Sequence, residues 1–419
     1  MRQNIDILFV HLPTSFIVSQ NPQVEGVNQH RYIFDSQVPS PARPSYLARC
    51  DSDSGLVLLN AGTAHGVTIG AEFVYAPHDS HASGKPVHTF IINNSASFFS
   101  TLKHAKNTPC HSLPTVFTVF QATPGEGGTI RLYLSADHNS ACLISVRQDI
   151  RRLPHNIEFV NSPSDAHLEL SVQENQVVVS VRDRKATVYG FNHKFPTSRD
   201  NLTSFLEKAV FFYRERDRHT SIDSEVAKNV TLEFYKLGPI RSKFEDILEY
   251  ELGASDPNFF SADTINFIVE EGGFYGVKLT NLSSDDLYPT LFYFDNSDLS
   301  ISNVYHFHRY PRTNQYYPVG TYYEPPFSGS NTAEAPLKSN GGTLTIGYGS
   351  GGMPPFSYAI PEGRNIGFLK LLVSTRPIQS TAGTWPCLCR LETDGSHTLD
   401  GGEYWGTLTI PMIQRRVST

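Results

Sequence analysis

The chain has 419 residues, of which 39% are hydrophobic and 12% aromatic, so it carries enough apolar material to fold and wholesale disorder is excluded. A formal net charge of −7 excludes the broad basic surface that a nucleic-acid partner would need. The length predicts two or three domains, and because no stretch approaches the roughly 18 apolar residues of a membrane span, we expect no membrane partner.

The segment from residue 1 to 122 is a series of short β-type runs. Runs of apolar and β-branched residues end at Gly, Pro or Asn, as in GLVLLNAG (55–62) and TVFTVFQA (115–122). Such runs predict strands, and because the segment has no sustained helical period we expect a small β-barrel or sandwich. The breaker cluster TPGEGG, residues 123 to 128, marks the end of this domain.

The segment 129–237 predicts a compact central α+β domain. Its predicted strands are TIRLYLS, NIEFV, AHLELSV, QVVVSVRD and, at the end of the domain, VTLEFYKL. A helix is predicted over 140–150, and the stretch 201–218 has the spacing of an amphipathic helix with Asp200 as N-cap. The apolar face of that helix comprises Leu202, Phe205, Leu206, Ala209, Val210 and Tyr213.

After a predicted linking helix, SKFEDILEYEL (242–252), the segment 258–419 reads as about seven strands. That number and spacing predict a C-terminal antiparallel β-sandwich. The chain has only 3 Met against 20 Tyr and 27 Phe, a balance that favours strands and turns. The predicted fold class is therefore α+β and predominantly β, with a long surface loop over 309–341.

Several segments, in one consistent order along the chain, resemble the region that follows the peptidase domain in caspase-like proteins of mushroom-forming fungi. The segments are QNPQVEGVNQHRYIFDSQVPS (20–40), AGTAHGVTIGAEFVY (61–75), SDAHLEL (164–170), YGVKLTNLSSDDLYPTLFYFD (275–295), GGTLTIGYGSGG (341–352) and NIGFLKLLVST (365–375). The resemblance implies an accessory or regulatory module whose catalytic domain would lie upstream of residue 1. The last region also resembles a β-sandwich appended to bacterial caspase-family proteins.

An alternative is a cysteine endopeptidase using a dyad within this chain. His65 precedes Cys110 by about 45 residues, which is the order of caspase catalytic residues. However, Thr108 stands where metacaspase-like proteins have an acidic residue, and prolines flank the cysteine on both sides. We therefore interpret Cys110 as a loop cysteine and His65 as a turn histidine, and predict no catalytic residues and no enzyme activity.

The histidines and glycines are the candidates for metal and cofactor sites. The histidines of the first domain cluster in sequence as His78, His81, His88, His104 and His111, with Cys110 nearby. Zinc ligands usually come in two short-spaced pairs, and only one such pair is present, so these residues are interpreted as polar loop residues. The glycine run 347–352 precedes two prolines that bar the helix a dinucleotide site requires, so it predicts a turn. We predict no metal and no cofactor.

The aromatic stretch YHFHRYPRTNQYYPVGTYYEPPF is the strongest candidate for a binding surface. Tyrosines provide large, rigid contact area with a polar tip, as in paratopes and sugar-binding loops. The candidate binding residues are Tyr305, Tyr310, Tyr316, Tyr317, Tyr322 and Tyr323. They predict a protein partner, for which the resemblance suggests a caspase-like peptidase domain, with a carbohydrate-binding, lectin-like role as a further alternative.

The cysteine content bears on location. Five cysteines in a chain of this length do not predict a disulfide framework, and the odd number leaves at least one thiol unpaired. The N-terminal stretch lacks the continuous apolar core of a signal peptide. We therefore expect a cytoplasmic location.

Overall fold

The computed structural model divides into two compact units, Met1–Gln37 with Arg309–Ala333 and Val38–His308 with Glu334–Thr419. In the first unit, strands β1 (Gln3–Asn4) and β2 (Tyr32–Ile33) pair antiparallel. All other elements belong to the second unit. The residues described are 3–4, 32–33, 45–50, 56–75, 88–105, 113–135, 147–148, 150, 157–173, 176–191, 193–197, 199–219, 228–241, 248–253, 257–306, 335–349, 354–358, 364–378 and 404–416.

The first domain of the second unit is a closed antiparallel barrel with the strand order β3-β4-β7-β6-β5-β8. Its strands are β3 (Ser45–Cys50), β4 (Val57–Leu59), β5 (Glu72–Tyr75), β6 (His88–Ser95), β7 (Ser100–His104) and β8 (Val116–Thr123). Alternate side chains point inward, and Phe73, Phe90 and Phe117 fill the interior. The structure thus has a barrel rather than a sandwich here, and Met1–Gln37 belongs to the other unit instead of to this domain.

The central domain is a mixed five-stranded sheet in the order β10-β9-β11-β12-β13. The strands are β9 (Ile130–Leu134), β10 (Ile157–Val160), β11 (Leu168–Gln173), β12 (Gln176–Val181) and β13 (Lys194–Thr197). Strand β9 is parallel to β10 and β11, and the remaining pairs are antiparallel. The helices are α1 (Arg184–Thr187) and α2 (Arg199–Asp217), and Arg147, Gln148 and Ile150 are also helical.

Helix α2 confirms the predicted amphipathic helix and is buried more widely than one face requires. The predicted face, including Leu206 and Ala209, packs on the central sheet. Phe211 and Phe212 are buried as well, and the Phe212 ring lies 5.5 Å from that of Phe294 in the C-terminal domain. The helix therefore joins two domains through a shared apolar core.

The C-terminal domain is a sandwich of a four-stranded sheet, β15-β14-β18-β21, and a six-stranded sheet, β16-β17-β23-β22-β19-β20. The strands are β14 (Val230–Arg241), β15 (Leu248–Glu251), β16 (Phe260–Ser261), β17 (Thr264–Val269), β18 (Phe274–Asn281), β19 (Tyr288–Asp295), β20 (Ser300–His306), β21 (Gly342–Ile346), β22 (Arg364–Ser374) and β23 (Trp405–Arg416). All pairs are antiparallel except β17 with β23. An apolar core fills the space between the sheets, and the predicted predominantly β, α+β class is confirmed.

Two predictions at the start of this domain are wrong. Strand β14 was assigned to the end of the central domain, but it pairs with β18 over Val230 to Leu237 and so belongs to the sandwich. The helix predicted over 242–252 is instead strand β15 at Leu248–Glu251, which pairs with β14. The apolar spacing of this stretch predicts a helix, but pairing with the edge of the long strand β14 places Leu248–Glu251 in a strand.

Candidate functional site

Of the six candidate tyrosines, Tyr305 lies within the described residues, and the structure corrects its assignment. Tyr305 is in strand β20, only 6% exposed, and packs in the core of the sandwich. Burial raises the pKa of its hydroxyl to about 12. It is therefore a core residue rather than part of a binding surface. The others, Tyr310, Tyr316, Tyr317, Tyr322 and Tyr323, lie outside the described residues.

His65 lies in a 3-10 turn, Thr63–His65, that follows strand β4. Its Nδ1 accepts a hydrogen bond from the backbone N–H of Gly62 at 3.1 Å, which places the proton of the neutral ring on Nε2. Burial, together with the positive charges of Arg218 and Arg376, lowers the pKa of His65 to about 3. A ring in this state is a poor general base at neutral pH. Its proposed dyad partner, Cys110, lies outside the described residues.

Lys370 is a fully buried charged residue where three domains meet. Its Nζ donates to the backbone carbonyls of Glu215, Arg216 and Arg218 at 2.6, 2.9 and 2.5 Å. Three acceptors match the three N–H bonds of an ammonium group, so these hydrogen bonds favour the charged form of the side chain. The ammonium thus caps the C-terminal end of α2, where the helix dipole favours a cation.

Arg216, only 1% exposed, is the second buried cation of this region. Its guanidinium pairs with Asp183, and it pairs with Asp217 at 2.8 Å. The guanidinium also lies over the rings of Tyr213 and Phe368, 4.8 and 5.0 Å from their centroids. The residue therefore links helix α2 to both the central sheet and strand β22.

The third buried cation, Arg218, connects these two domains to the barrel. Its Nε lies 3.0 Å from Glu215 Oε2, and its Nη1 donates to the carbonyl of Ala64 in the barrel. The guanidinium lies over the Trp405 ring, and Trp405 Nε1 donates to Thr63 Oγ1 at 3.0 Å. We call the residues Asp183, Glu215, Arg216, Asp217, Arg218 and Lys370 the ionic junction.

The pKa shifts in the ionic junction follow from burial and from opposite charges. Burial, reinforced by Arg218, lowers the pKa of Lys370 well below its usual range, whereas the charges of Glu215 and Asp217 and the three hydrogen bonds to carbonyls oppose that shift. Burial alone would raise the pKa of Asp217, but the charge and hydrogen bonds of Arg216 outweigh that effect and lower it. Burial alone would likewise raise the pKa of Glu215, but the charges of Arg218 and Arg214 outweigh that effect and lower it. The carboxylates are thus held ionised, as partners of the buried cations.

Two of the clustered histidines come together across adjacent barrel strands. His88 Nδ1 lies 3.1 Å from His104 Nε2, with both rings partly buried. His78, His81 and His111 lie outside the described residues. In the part of the chain that the structure describes, no group of three or more His, Cys, Asp or Glu side chains is placed to hold a metal ion.

Cys50, at the end of β3, is disulfide-bonded, whereas the sequence led us to expect a reducing environment. The other four cysteines lie outside the described residues. Disulfides are uncommon in cytosolic proteins, so this bond does not support the predicted cytoplasmic location, which stays a prediction.

The outer surface of the barrel carries a run of apolar side chains. Val116 and Phe120 on β8 and Ile91 on β6 are 47%, 39% and 37% exposed. Partly exposed Val74 pairs with Phe120 across β5 and β8, and Leu47 on β3 pairs with Thr118. We call Leu47, Val74, Ile91, Val116 and Phe120 the barrel face.

Comparison with known proteins leaves the fold and the site as the basis for assigning function. No protein-family model matches the chain, and no curated protein or solved structure is significantly similar to it. The structure defines a class of architecture. It is a β-rich α+β protein in which a barrel, a mixed sheet and a sandwich are joined at a buried ionic junction. Among the described helices, none combines the length and hydrophobicity that crossing a membrane requires.

Proposed function

We propose that the protein is a non-catalytic interaction module that binds a protein partner through the barrel face. The observation that carries the proposal is the exposure of Val116 and Phe120 on β8 and of Ile91 on β6, with the partly exposed Val74 on the strand β5 between them. Clustered apolar side chains at a surface mark sites of association, whereas single ones are unremarkable. Phe120 provides an aromatic anchor of the type that dominates binding energy at interfaces.

The chemistry of the buried groups supports a structural rather than a catalytic role for the ionic junction. Lys370 uses its three N–H bonds on backbone carbonyls, and Arg216 is enclosed by two carboxylates and two rings. His65 accepts a hydrogen bond from the Gly62 amide at Nδ1, and its Nε2 is buried without a hydrogen-bond partner among the described residues. Groups that are hydrogen-bonded or enclosed in this way hold domains together and are not presented to a substrate.

The proposed partner is a caspase-like peptidase domain, a choice that rests on the resemblance of segments such as 61–75 and 275–295 to the region following that domain in fungal proteins. Segment 61–75 contributes Val74 to the barrel face and also includes His65 at the ionic junction. An accessory module that lies beside a peptidase domain needs a rigid surface with apolar anchors, and the barrel face meets that requirement.

The test is a binding measurement between this chain and a purified caspase-like peptidase domain from a mushroom-forming fungus, by biolayer interferometry. Phe120→Lys and Val116→Lys should each weaken binding at least about tenfold, because a charge replaces an apolar anchor. Val188→Lys is the matched control, since Val188 is 73% exposed in the central domain, away from the barrel face. Absence of binding, or equal weakening by all three variants, would refute the proposal.

A further inference from the structure

The barrel has a built pair of imidazoles at one end that the interaction function does not use. His88 begins strand β6, and His104 ends the antiparallel neighbour β7. The register pairs Phe90 with His104, so His88 and His104 share a diagonal of the same inward-facing row. His88 Nδ1 and His104 Nε2 share a hydrogen bond of 3.1 Å, in which the tautomers decide which nitrogen donates.

Both rings are held in place by aromatic neighbours. Tyr75 stacks on His88 with ring centroids 6.0 Å apart, and the edge of His104 meets Phe90 at 5.1 Å. Phe90 is fully buried beneath them, while both histidines keep part of their surface exposed. The two rings are therefore fixed by strands and packing, in residues that keep part of their surface exposed.

We propose that His88 Nδ1 and His104 Nε2 bind a divalent transition metal ion, of the class Zn²⁺, Ni²⁺ or Cu²⁺, at the mouth of the barrel. Two nitrogens bound tetrahedrally to one ion at about 2.0–2.1 Å stand about 3.3 to 3.4 Å apart. The observed separation of 3.1 Å is close to that value. The ion takes the place of the proton in the hydrogen bond, which the donor ring then carries on its other nitrogen, and small rotations of the two rings direct both lone pairs at the ion.

Imidazole selects this class of metal, because borderline nitrogen ligands suit Zn²⁺, Ni²⁺ and Cu²⁺ whereas Ca²⁺ and Mg²⁺ require oxygen. Cys50, on strand β3 of the same barrel, is disulfide-bonded and so offers no thiolate. Two protein ligands leave coordination positions open to solvent or to a further ligand. The site is thus exchangeable rather than a closed structural centre, and it is independent of the barrel-face function.

The test is calorimetric titration of the chelator-treated full chain with ZnCl₂ and NiCl₂. His88→Gln and His104→Gln should each weaken binding at one site by at least about tenfold, as loss of a ligand does. Because both residues hold one ion, the double variant should lose little more than either single variant. His193→Gln is the matched control, a histidine whose ring packs against Phe191 and Phe195 in the central domain.

A second measurement on the unaltered chain keeps the proposal falsifiable if a variant fails to fold. With one equivalent of Cu²⁺, the electron paramagnetic resonance spectrum should show coupling to at least two imidazole nitrogens. Undiminished affinity in both single variants would overturn the proposal, and so would a copper spectrum without imidazole coupling. The same holds if binding is weakened equally in His193→Gln, since the effect would then not belong to the barrel mouth.

Discussion

Replacing Lys370 by methionine tests whether the ionic junction holds the three domains together. Methionine keeps most of the apolar stem but removes the ammonium that donates to the carbonyls of Glu215, Arg216 and Arg218. Leaving a buried acceptor without its donor costs about 1 to 3 kcal/mol per group. The substitution also removes the desolvation cost of the buried ammonium, and this gain offsets part of the loss.

The net expectation is that Lys370→Met lowers the free energy of unfolding by about 3 kcal/mol, from three lost hydrogen bonds of about 1 kcal/mol each. Lys236→Met is the matched control, because Lys236 pairs with Glu270 at 2.5 Å while both side chains are exposed. An exposed pair of this kind contributes less than about 1 kcal/mol.

The assay is guanidinium denaturation followed by circular dichroism and by tryptophan fluorescence. Trp405 lies beside Arg218 at the junction, so a Trp385→Phe background makes its emission report on that region. In Lys370→Met the fluorescence transition should move to lower denaturant than the circular dichroism transition, because the domains separate first. A loss below about 1 kcal/mol, equal to that of Lys236→Met, would refute a stabilising role for Lys370.

Three further substitutions have defined outcomes in the same denaturation assay. As the pH falls from about 6 to about 4, His65 becomes protonated in the unfolded chain but not in the folded one, because burial lowers its pKa to about 3. The contribution of His65 to the free energy of unfolding should therefore fall by about 1.4 kcal/mol per pH unit. His65→Asn should abolish this pH dependence, and His193→Asn should keep it. Gly125→Ala should cost about 1 to 3 kcal/mol, because a Cβ there would stand 2.4 Å from the carbonyl of Ile69, whereas Gly238→Ala meets no atom within 4 Å and should be near neutral. Tyr305→Ala should cost about 3 to 5 kcal/mol if the residue is core, and an unchanged midpoint would contradict its burial.

The elements that the sequence predicted well are those whose pattern is local. The 3.6-residue spacing of Leu206, Ala209 and their neighbours is enough to predict helix α2, and the β-type runs AHLELSV and QVVVSVRD are enough for strands β11 and β12. The breaker cluster at 123–128 also begins at the last residue of β8 and ends before β9, at the predicted boundary. Each of these signals depends only on neighbouring residues and not on the partner element.

The errors and omissions share a different origin, since each depends on contacts between distant segments. Strand β14 looked like the end of the central domain until its pairing with β18 was known. Zinc ligands are recognised in a sequence by short spacings, whereas His88 and His104 meet across two strands and are 16 residues apart in sequence. Cross-strand register is not encoded in the spacing of either residue.

The ionic junction left one readable signal, a lysine within the otherwise apolar run of NIGFLKLLVST. In a strand whose neighbours are all buried, a lysine must find acceptors or be excluded from the core. Lys370 finds them at the end of helix α2, where unpaired carbonyls are available by the nature of a helix terminus. The pattern predicts that a partner exists, but only the folded chain identifies it.

The barrel core and the ionic junction are built from different residues, and this decides how far the two proposed sites depend on the junction. The buried residues of the barrel interior all come from its own segment, from Tyr46 to Val119, so the barrel face and the His88–His104 pair are shaped by local packing. The junction contributes orientation instead, because Arg218 and Trp405 bind the turn at Thr63–His65 from the other two domains. A partner that contacts the barrel alone should therefore tolerate a weakened junction. A partner that also contacts the sandwich must lose affinity when the junction weakens, because part of its binding free energy would then be used to order the domains.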